Sequence, residues 1–310
     1  MNTIDAAVGK WSGILIALGV DQKFLKNKHG PCPLCSGKDR FRFDDKNGTG
    51  SYYCSGCGAG DGMSLAMKFT NQDFKSAAKQ VDSIVGNVQA SNVTTIKRDP
   101  ALALRKVFSG SSEPKGTLVE KYLSSRCLEL PQQDLSFHPA AAYYENGKFV
   151  ACYPAMLATF SNSEGQPNTL HVTYLSEDGR KRDLAVSKKI MTPKERMGGG
   201  AIRLFEPAEV MGIAEGIETA LAAAKLDQIP VWASANANML EQWQPPAIAK
   251  CVHIYSDNDM NYAGQASAYK LANKLSLAGL QVIVATPNKF GDWNDVLIET
   301  EEAQRELARA

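Results

Sequence analysis

The sequence predicts a multidomain protein of mixed α/β and α+β class. A metal-bound ribbon comes first, a strand-rich part second and a parallel-sheet α/β unit last. Three observations carry this. Two C-x2-C pairs stand close together near the start, strand patterning fills residues 134–205, and strands alternate with helices from 209 onward. A chain of 310 residues has room for about two domains. Hydrophobic residues make up 44%, enough to bury a core and too many for a disordered chain. The net charge of +1 gives no overall pull toward nucleic acid or membrane, so charge is read by segment. The early run "ILIALGV" is too short to span a membrane and has no cleavage-site pattern, so a soluble intracellular protein is expected.

The first element is "HGPCPLCSGKDRFRFDDKNGTGSYYCSGCGAGDG". Cys32 and Cys35 form one pair, Cys54 and Cys57 the other, with eighteen residues between the pairs. Each pair offers two thiolates from a tight turn, and two pairs close a tetrahedral four-sulfur site suited to zinc. An iron–sulfur site is the alternative. Four cysteines fill a zinc shell, so the metal is expected to be structural and His29 only a neighbour. The remaining cysteines, Cys127, Cys152 and Cys251, are expected in the core. "RFRFDD" and "SYYC" read as two strands. Over residues 23–46, Lys23, Lys26, Lys28, Lys38, Arg40, Arg42 and Lys46 outnumber Asp39, Asp44 and Asp45. Phe41, Phe43, Tyr52 and Tyr53 interleave with them, which suits phosphate contact and base stacking, with Arg40 and Arg42 as candidate template contacts. The competing reading makes at least half of these aromatics the ribbon's own small core.

Residues 60–86 show helical apolar spacing, and 86–100 are polar without periodicity. "ALALRKVFSG" and "GTLVEKYLSSRCL" read as short helices; "KFVACYPAMLATF", "NTLHVTYLS" and "AIRLF" read as strands. The domain plan is therefore a ribbon domain at 1–85, a linker with a short helix at 86–114, a strand-rich part at 115–207, an α/β domain at 208–298 and a helical tail at 299–310. Residues 180–196 carry Arg180, Lys181, Arg182, Lys188, Lys189, Lys194 and Arg196 against Asp183 and Glu195. Alone, such a run reads as a solvated loop. Beside a carboxylate cluster it reads as a flank for phosphates, with Lys188, Lys189, Arg196 and Arg203 as candidates for nucleotide or template contact.

The last part alternates strand and helix four times, which implies a parallel sheet with helices on both faces. Ligands of such sheets bind beyond the carboxyl ends of the strands. Acids fall there: Glu215 after the first strand, Asp257 and Asp259 in "CVHIYSDND" after the third, Asp292 and Asp295 in "GDWNDV" after the fourth. Asp259 capping the next helix is the bland reading of the pair. Acids at three separate strand ends favour hard-oxygen ligands for Mg²⁺ or Mn²⁺.

"AEGIETA" and "SDND" resemble the Toprim domain, and "GDWNDVL" its variant in phage and plasmid primases. "HGPCPLC…DRFRFDD", "YYCSGCGAGDG" and "YPAMLATF" followed by "LHVTYL" resemble other parts of the same primases, so the likeness covers about residues 28–298. The chain is similar to DNA primases of phage, satellite-phage and mobile-element type. The resemblance implies a primase core behind a zinc ribbon. It implies template-directed synthesis of short RNA primers on single-stranded DNA from ribonucleoside triphosphates, in the cytoplasm of a bacterium or phage-infected host. It assigns metal binding to Asp257 and Asp259, leaves Glu215 as metal ligand or base, and puts Asp292 and Asp295 second. Relatives have an Asp after the "EG" motif where Glu218 stands here. No G-x4-G-K-[ST] motor motif occurs, so the chain is expected to be either a free-standing primase, with a separate replicative helicase as partner, or a fragment of a primase-helicase. The rival from another class is a RecR-like recombination mediator, which also joins a four-cysteine zinc site to a Toprim domain. Its two parts lie close together, whereas more than 150 residues separate Cys57 from Glu215.

Overall fold

The computed structural model describes residues 3–86, 99–145, 147–260 and 262–309. The chain forms two compact units, Met1–Lys97 and Arg98–Ala310. Of the linker expected over 86–114, residues 87–98 lie outside the described residues.

In the first unit, helices α1 (Thr3–Ala7) and α2 (Trp11–Ala17) precede an antiparallel sheet of β1 (Phe41–Phe43), β2 (Tyr52–Cys54) and β3 (Gly58–Gly60). Helices α3 (Gly62–Thr70) and α4 (Phe74–Val85) follow. The one helical stretch read from the sequence is thus two helices. Asn71 ends α3 in the left-handed region at φ 53°, and the Asp73 carboxylate accepts from the Ser76 N–H to start α4. Trp11, Ile14, Leu15, Phe41 and Leu65 are fully buried. A Cβ on Gly62 would lie 2.1 Å from the Trp11 ring, so glycine there lets α3 close onto α2. Phe41 and Tyr52 stack at 5.5 Å between centroids. Phe41, Phe43 and Tyr52 are core, and only Tyr53 of the four ribbon aromatics is exposed, at 47%.

The second unit is built on one nine-stranded sheet. Helices α5 (Pro100–Phe108) and α6 (Leu118–Ser124) lead into β4 (Leu135–Glu145), β5 (Lys148–Ser161), β6 (Pro167–Tyr174), β7 (Lys188–Ile190) and β8 (Ala201–Ile202). Then come β9 (Val210–Ala214), α7 (Ile217–Asp227), β10 (Val231–Ala233), α8 (Ala237–Gln242), β11 (Cys251–Tyr255), α9 (Ala263–Leu277), β12 (Gln281–Ala285) and α10 (Trp293–Leu307). The order is β12-β11-β9-β10-β8-β5-β6-β7, with β4 also paired to β5. The first four are mutually parallel, and from β8 onward the pairing is antiparallel. The two-residue β8 joins the halves: Ile202 faces Ala233 on one side and Phe160 on the other.

Period-2 alternation sorts β5 between two cores. Met156, Ala158 and Phe160 pack with α6, α7 and α10, while Ala155 and Leu157 pack with Leu104 of α5. In the parallel half, α8 and α9 cover Met211, Ile213, Val252 and Ile254. The C-terminal residues from 299 continue α10, and Glu301 pairs with Lys225 of α7 at 2.7 Å. Of the three scattered cysteines, Cys152 is exposed rather than core, on the outer part of β5. No helix among the described residues is long and apolar enough to cross a membrane.

Candidate metal centre and active site

The four cysteines of the first unit converge. Cys32 and Cys35 lie in the turn before β1, Cys54 ends β2, and Cys57 lies in the turn to β3. Their sulfurs all lie within 4.8 Å of one another, with Cys32–Cys57 and Cys35–Cys54 both at 3.9 Å. A tetrahedron with Zn–S bonds of about 2.3 Å has edges of about 3.8 Å, so the donor set fits Zn²⁺ in both chemistry and size. Four thiolates leave no open position, which makes the site structural. Arg40 lies across both cysteine turns: a Cβ on Gly37 would meet its Nε at 2.3 Å, and one on Gly56 its Nη1 at 2.8 Å. A guanidinium there offsets the negative charge of a tetrathiolate centre. Arg42 pairs with Asp44 at 3.4 Å, opposite Tyr53 in the strand register. His29 is exposed and outside the cluster.

In the second unit, parallel β9 and β11 are neighbours with Ala214 opposite Tyr255. The residues just past their ends therefore emerge side by side. Glu215 and Asp257 line one cavity of about 200 Å³ together with Asp292, Arg126, Lys181 and Lys188. The first turn of α7 bonds to both an acid and a cation of the lining. Thr219 Oγ1 donates to Asp257 Oδ1 at 3.1 Å, and Glu218 takes the Lys188 ammonium at 2.8 Å and the Tyr122 hydroxyl at 2.5 Å.

Two of the acids, Asp257 and Glu215, resist ionisation in this setting. Burial, then the charge of Asp292, pushes Asp257 up to about 7. Burial, then Asp259, raises Glu215. Burial also acts against ionised Glu218, yet the Lys188 charge and the hydrogen bonds from Lys188 and Tyr122 outweigh it and hold this carboxyl at about 2. Glu218 is thus the internal partner of Lys188. His171 on β6 also lines the cavity; burial, then Lys188, lowers it to about 4, so it is neutral at physiological pH.

The candidate residues separate clearly. Asp259 stands off the cavity wall, though its charge is felt by both Glu215 and Asp257. It is not the cap of α9, whose N-cap is Tyr262 at φ 56°. Asp292 lines the cavity and also caps α10, accepting from the Asn294 and Asp295 N–H groups at 2.8 and 3.0 Å. Asp295 returns the bond to the Asp292 N–H in a capping box and lies off the cavity wall. Of the candidate cations only Lys188 reaches the cavity. Lys189 alternates to the other sheet face, with Nζ 3.8 Å from the Tyr143 ring centroid and bonded to the Tyr144 carbonyl. Arg203 binds the carbonyls of Asn162 and Ser163 and lies over Trp232, and Arg196 is exposed away from the cavity. Sequence reading missed Arg126, His171 and Thr219 and gave Lys181 no role of its own. Lys181 lay inside the basic run already singled out; the other three are brought in only by tertiary folding.

With Glu218 taken by Lys188 and Tyr122, the other three cavity acids, Glu215, Asp257 and Asp292, form an open set. Among the described residues, only the four cysteines make a group whose ligand atoms all lie within 4.8 Å. Carboxylates facing a cavity with room for waters and phosphate oxygens suit Mg²⁺, which takes one or two carboxylates and keeps much of its hydration.

Three family models match. Residues 27–63 match the zinc-binding domain of primase-helicase, residues 98–204 a domain of unknown function (DUF7146), and residues 210–303 the Toprim domain. The chain carries a Toprim domain behind a primase zinc ribbon. Solved structures with a similar fold include the zinc-binding and RNA polymerase domains of the Aquifex aeolicus primase. That pair shares 15% identity at TM-score 0.46, covering 98% of this chain and 84% of that one. The primase fragment of the bacteriophage T7 primase-helicase shares 14% identity at TM-score 0.41, covering 91% of this chain and 97% of that one. The Toprim match encloses Glu215, Asp257, Asp259 and Asp292, and the ribbon match all four cysteines. Arg126, Lys181 and Lys188 belong to the segment matched by the domain of unknown function, so the cavity draws on both matched segments of the second unit.

Proposed function

We propose that the chain is a DNA primase, a nucleotidyltransferase that makes short RNA primers on single-stranded DNA from ribonucleoside triphosphates. The primase zinc-binding and Toprim domains support a primase function. The observation that carries the chemistry is the single cavity lined by Glu215, Asp257 and Asp292 together with Arg126, Lys181 and Lys188. Acids for cations beside cations for phosphates is the arrangement phosphoryl transfer calls for. A recombination mediator that only binds DNA has no use for it.

On this reading Asp257 and Asp292 hold Mg²⁺ or Mn²⁺, with Asp259 and Glu215 adding negative charge close by. Bound there, the cations supply charge neutralisation for the attacking hydroxyl and the leaving pyrophosphate. Arg126, Lys181 and Lys188 bind the triphosphate oxygens, and Glu218 keeps Lys188 aimed at them. Glu215, raised by burial, is placed to accept the primer hydroxyl proton. Exposed Tyr53 gives the ribbon a surface for stacking on single-stranded DNA. A separate helicase and a cytoplasmic site of action belong to the same reading.

The test incubates the protein with varied single-stranded templates, labelled ribonucleotides and Mg²⁺ or Mn²⁺. Template-dependent oligoribonucleotides are expected. Absence of product across templates and both cations refutes the reading.

A further inference from the structure

Two loops carry the cavity's aspartates. Residues 256–260 follow β11 and hold Asp257; residues 286–292 follow β12 and hold Asp292. They belong to neighbouring parallel strands, so the sheet sets their roots but not their tips. At the tips one residue, Asn258, makes four bonds. Its N–H donates to the Gly291 carbonyl at 2.9 Å, and its carbonyl accepts from the Gly291 N–H at 3.3 Å. Its Nδ2 donates to the Pro287 carbonyl at 2.9 Å, and its Oδ1 accepts from Gln265 Nε2 of α9 at 3.2 Å. Three of the four bonds cross to the other acid-bearing loop. The fourth anchors the side chain to a helix.

The loop that receives these bonds is itself tightly fitted. Gly291 sits at φ 135°, where a side chain is strained, and a Cβ there would lie 2.5 Å from Asp295 Oδ2. At the loop roots Ser256 Oγ meets Thr286 Oγ1 at 2.6 Å, and Trp293 Nε1 donates to the Ser256 carbonyl at 3.2 Å. The root is therefore fixed without Asn258, while at the tip its side chain adds the bonds to Pro287 and Gln265 to a backbone pair with Gly291 that any residue could make.

We propose that Asn258 is a positioning residue for the divalent-cation site: it staples the Asp257 loop to the Asp292 loop and so sets the separation of the two carboxylates. Asp257 lines the cavity, whereas the Asn258 side chain turns to the neighbouring loop. An asparagine there serves both ends of the link, since it donates to one carbonyl and accepts from one amide. Aspartate at 258 would lose the donor to Pro287 and add a like charge between two acids. The inference rests on the metal reading of the acids, not on primer synthesis.

The test titrates the zinc-loaded full chain with Mn²⁺, followed by the electron paramagnetic resonance of the free ion, and measures thermal melting without Mn²⁺. Asp257→Ala defines the site as the Mn²⁺ binding it removes. Asn258→Ala keeps every carboxylate, so a merely structural role would move melting and leave affinity alone. Loss of the side-chain bonds to Pro287 and Gln265 frees the loop that carries Asp257, and a loss of Mn²⁺ affinity on the order of 10-fold, the low end for groups that orient a metal ligand, is expected with melting little changed. Should Asn258→Ala fold poorly, Gln265→Ala removes the helix anchor, together with a 3.5 Å bond to the Asp259 carbonyl, and is expected to weaken Mn²⁺ binding several-fold. Parental affinity in the folded variant overturns the proposal, as does Mn²⁺ binding that Asp257→Ala leaves intact. If Asn258→Ala weakens Mn²⁺ binding while the parent makes no primers, the staple stands and the primase reading falls.

Discussion

At the scale of single residues, the Lys188–Glu218 pair gives the sharpest expectation. Glu218 is buried, and Lys188 and Tyr122 satisfy one oxygen each. Glu218→Gln keeps the shape but removes the charge that balances Lys188. It should cost on the order of 1–3 kcal/mol of stability in denaturant unfolding and raise the nucleotide KM more than it lowers kcat. A variant with parental KM would show that Glu218 does not serve the cavity. Asp134, far from the acids in sequence, gives a pH signature. Burial raises it to about 6 against the pull of the Arg203 N–H and guanidinium. The fold therefore favours the neutral form: its contribution is fullest at about pH 4 and is lost as pH rises through about 6. Asp134→Asn, which tolerates the left-handed backbone at φ 65°, should melt higher than the parent at pH 8. The gap, on the order of 2–4 °C for each kcal/mol, should close toward pH 4. A gap independent of pH would contradict this.

At the scale of elements, the ribbon tests the metal assignment. Its three strands have three residues each, too little sheet to stand without the sulfur cluster. One zinc per chain is expected by elemental analysis, and Cys54→Ser should lose it together with ordered near-ultraviolet signal from Phe41 and Tyr52. Zinc retained at full stoichiometry in that variant would count against the four-sulfur site. The same region shows what was legible. The cysteine spacing identified the cluster because metal geometry constrains sequence directly. The split of one helical run into α3 and α4 was carried by Asn71 and Asp73, cap residues that apolar periodicity ignores. The basic run 180–196 read as a loop, yet Lys188 and Lys189 lie in β7, paired to β6. A three-residue edge strand is too short to display a period, and its two lysines point to opposite faces with different fates.

At the scale of the whole second unit, one sheet carries both halves of the cavity. The parallel half supplies Glu215 and Asp257 from adjacent strand ends, and the antiparallel half supplies His171 and Lys188 from β6 and β7. The alternation of strands and helices made the acidic half readable, because strand ends in a parallel sheet converge by rule. Arg126 was not readable. It follows α6 with no periodic or motif signal, and its carbonyl is held by Asn294 of α10, 168 residues away in sequence. Arg203 shows the opposite error. It is a cation in a promising segment that the fold commits to Asn162, Ser163 and Trp232. Charge patterns mark candidates, and only long-range packing decides which of them face the acids.

The central claim is that the carboxylates of this cavity hold the cations of a primer-synthesising centre. The most direct measurement compares parent and Asp257→Ala for labelled ribonucleotide incorporation on single-stranded DNA with Mn²⁺, alongside DNA binding by fluorescence anisotropy. The account predicts product from the parent, a loss of more than about 100-fold in the variant, and DNA affinity unchanged. Equal product from the two proteins would contradict it.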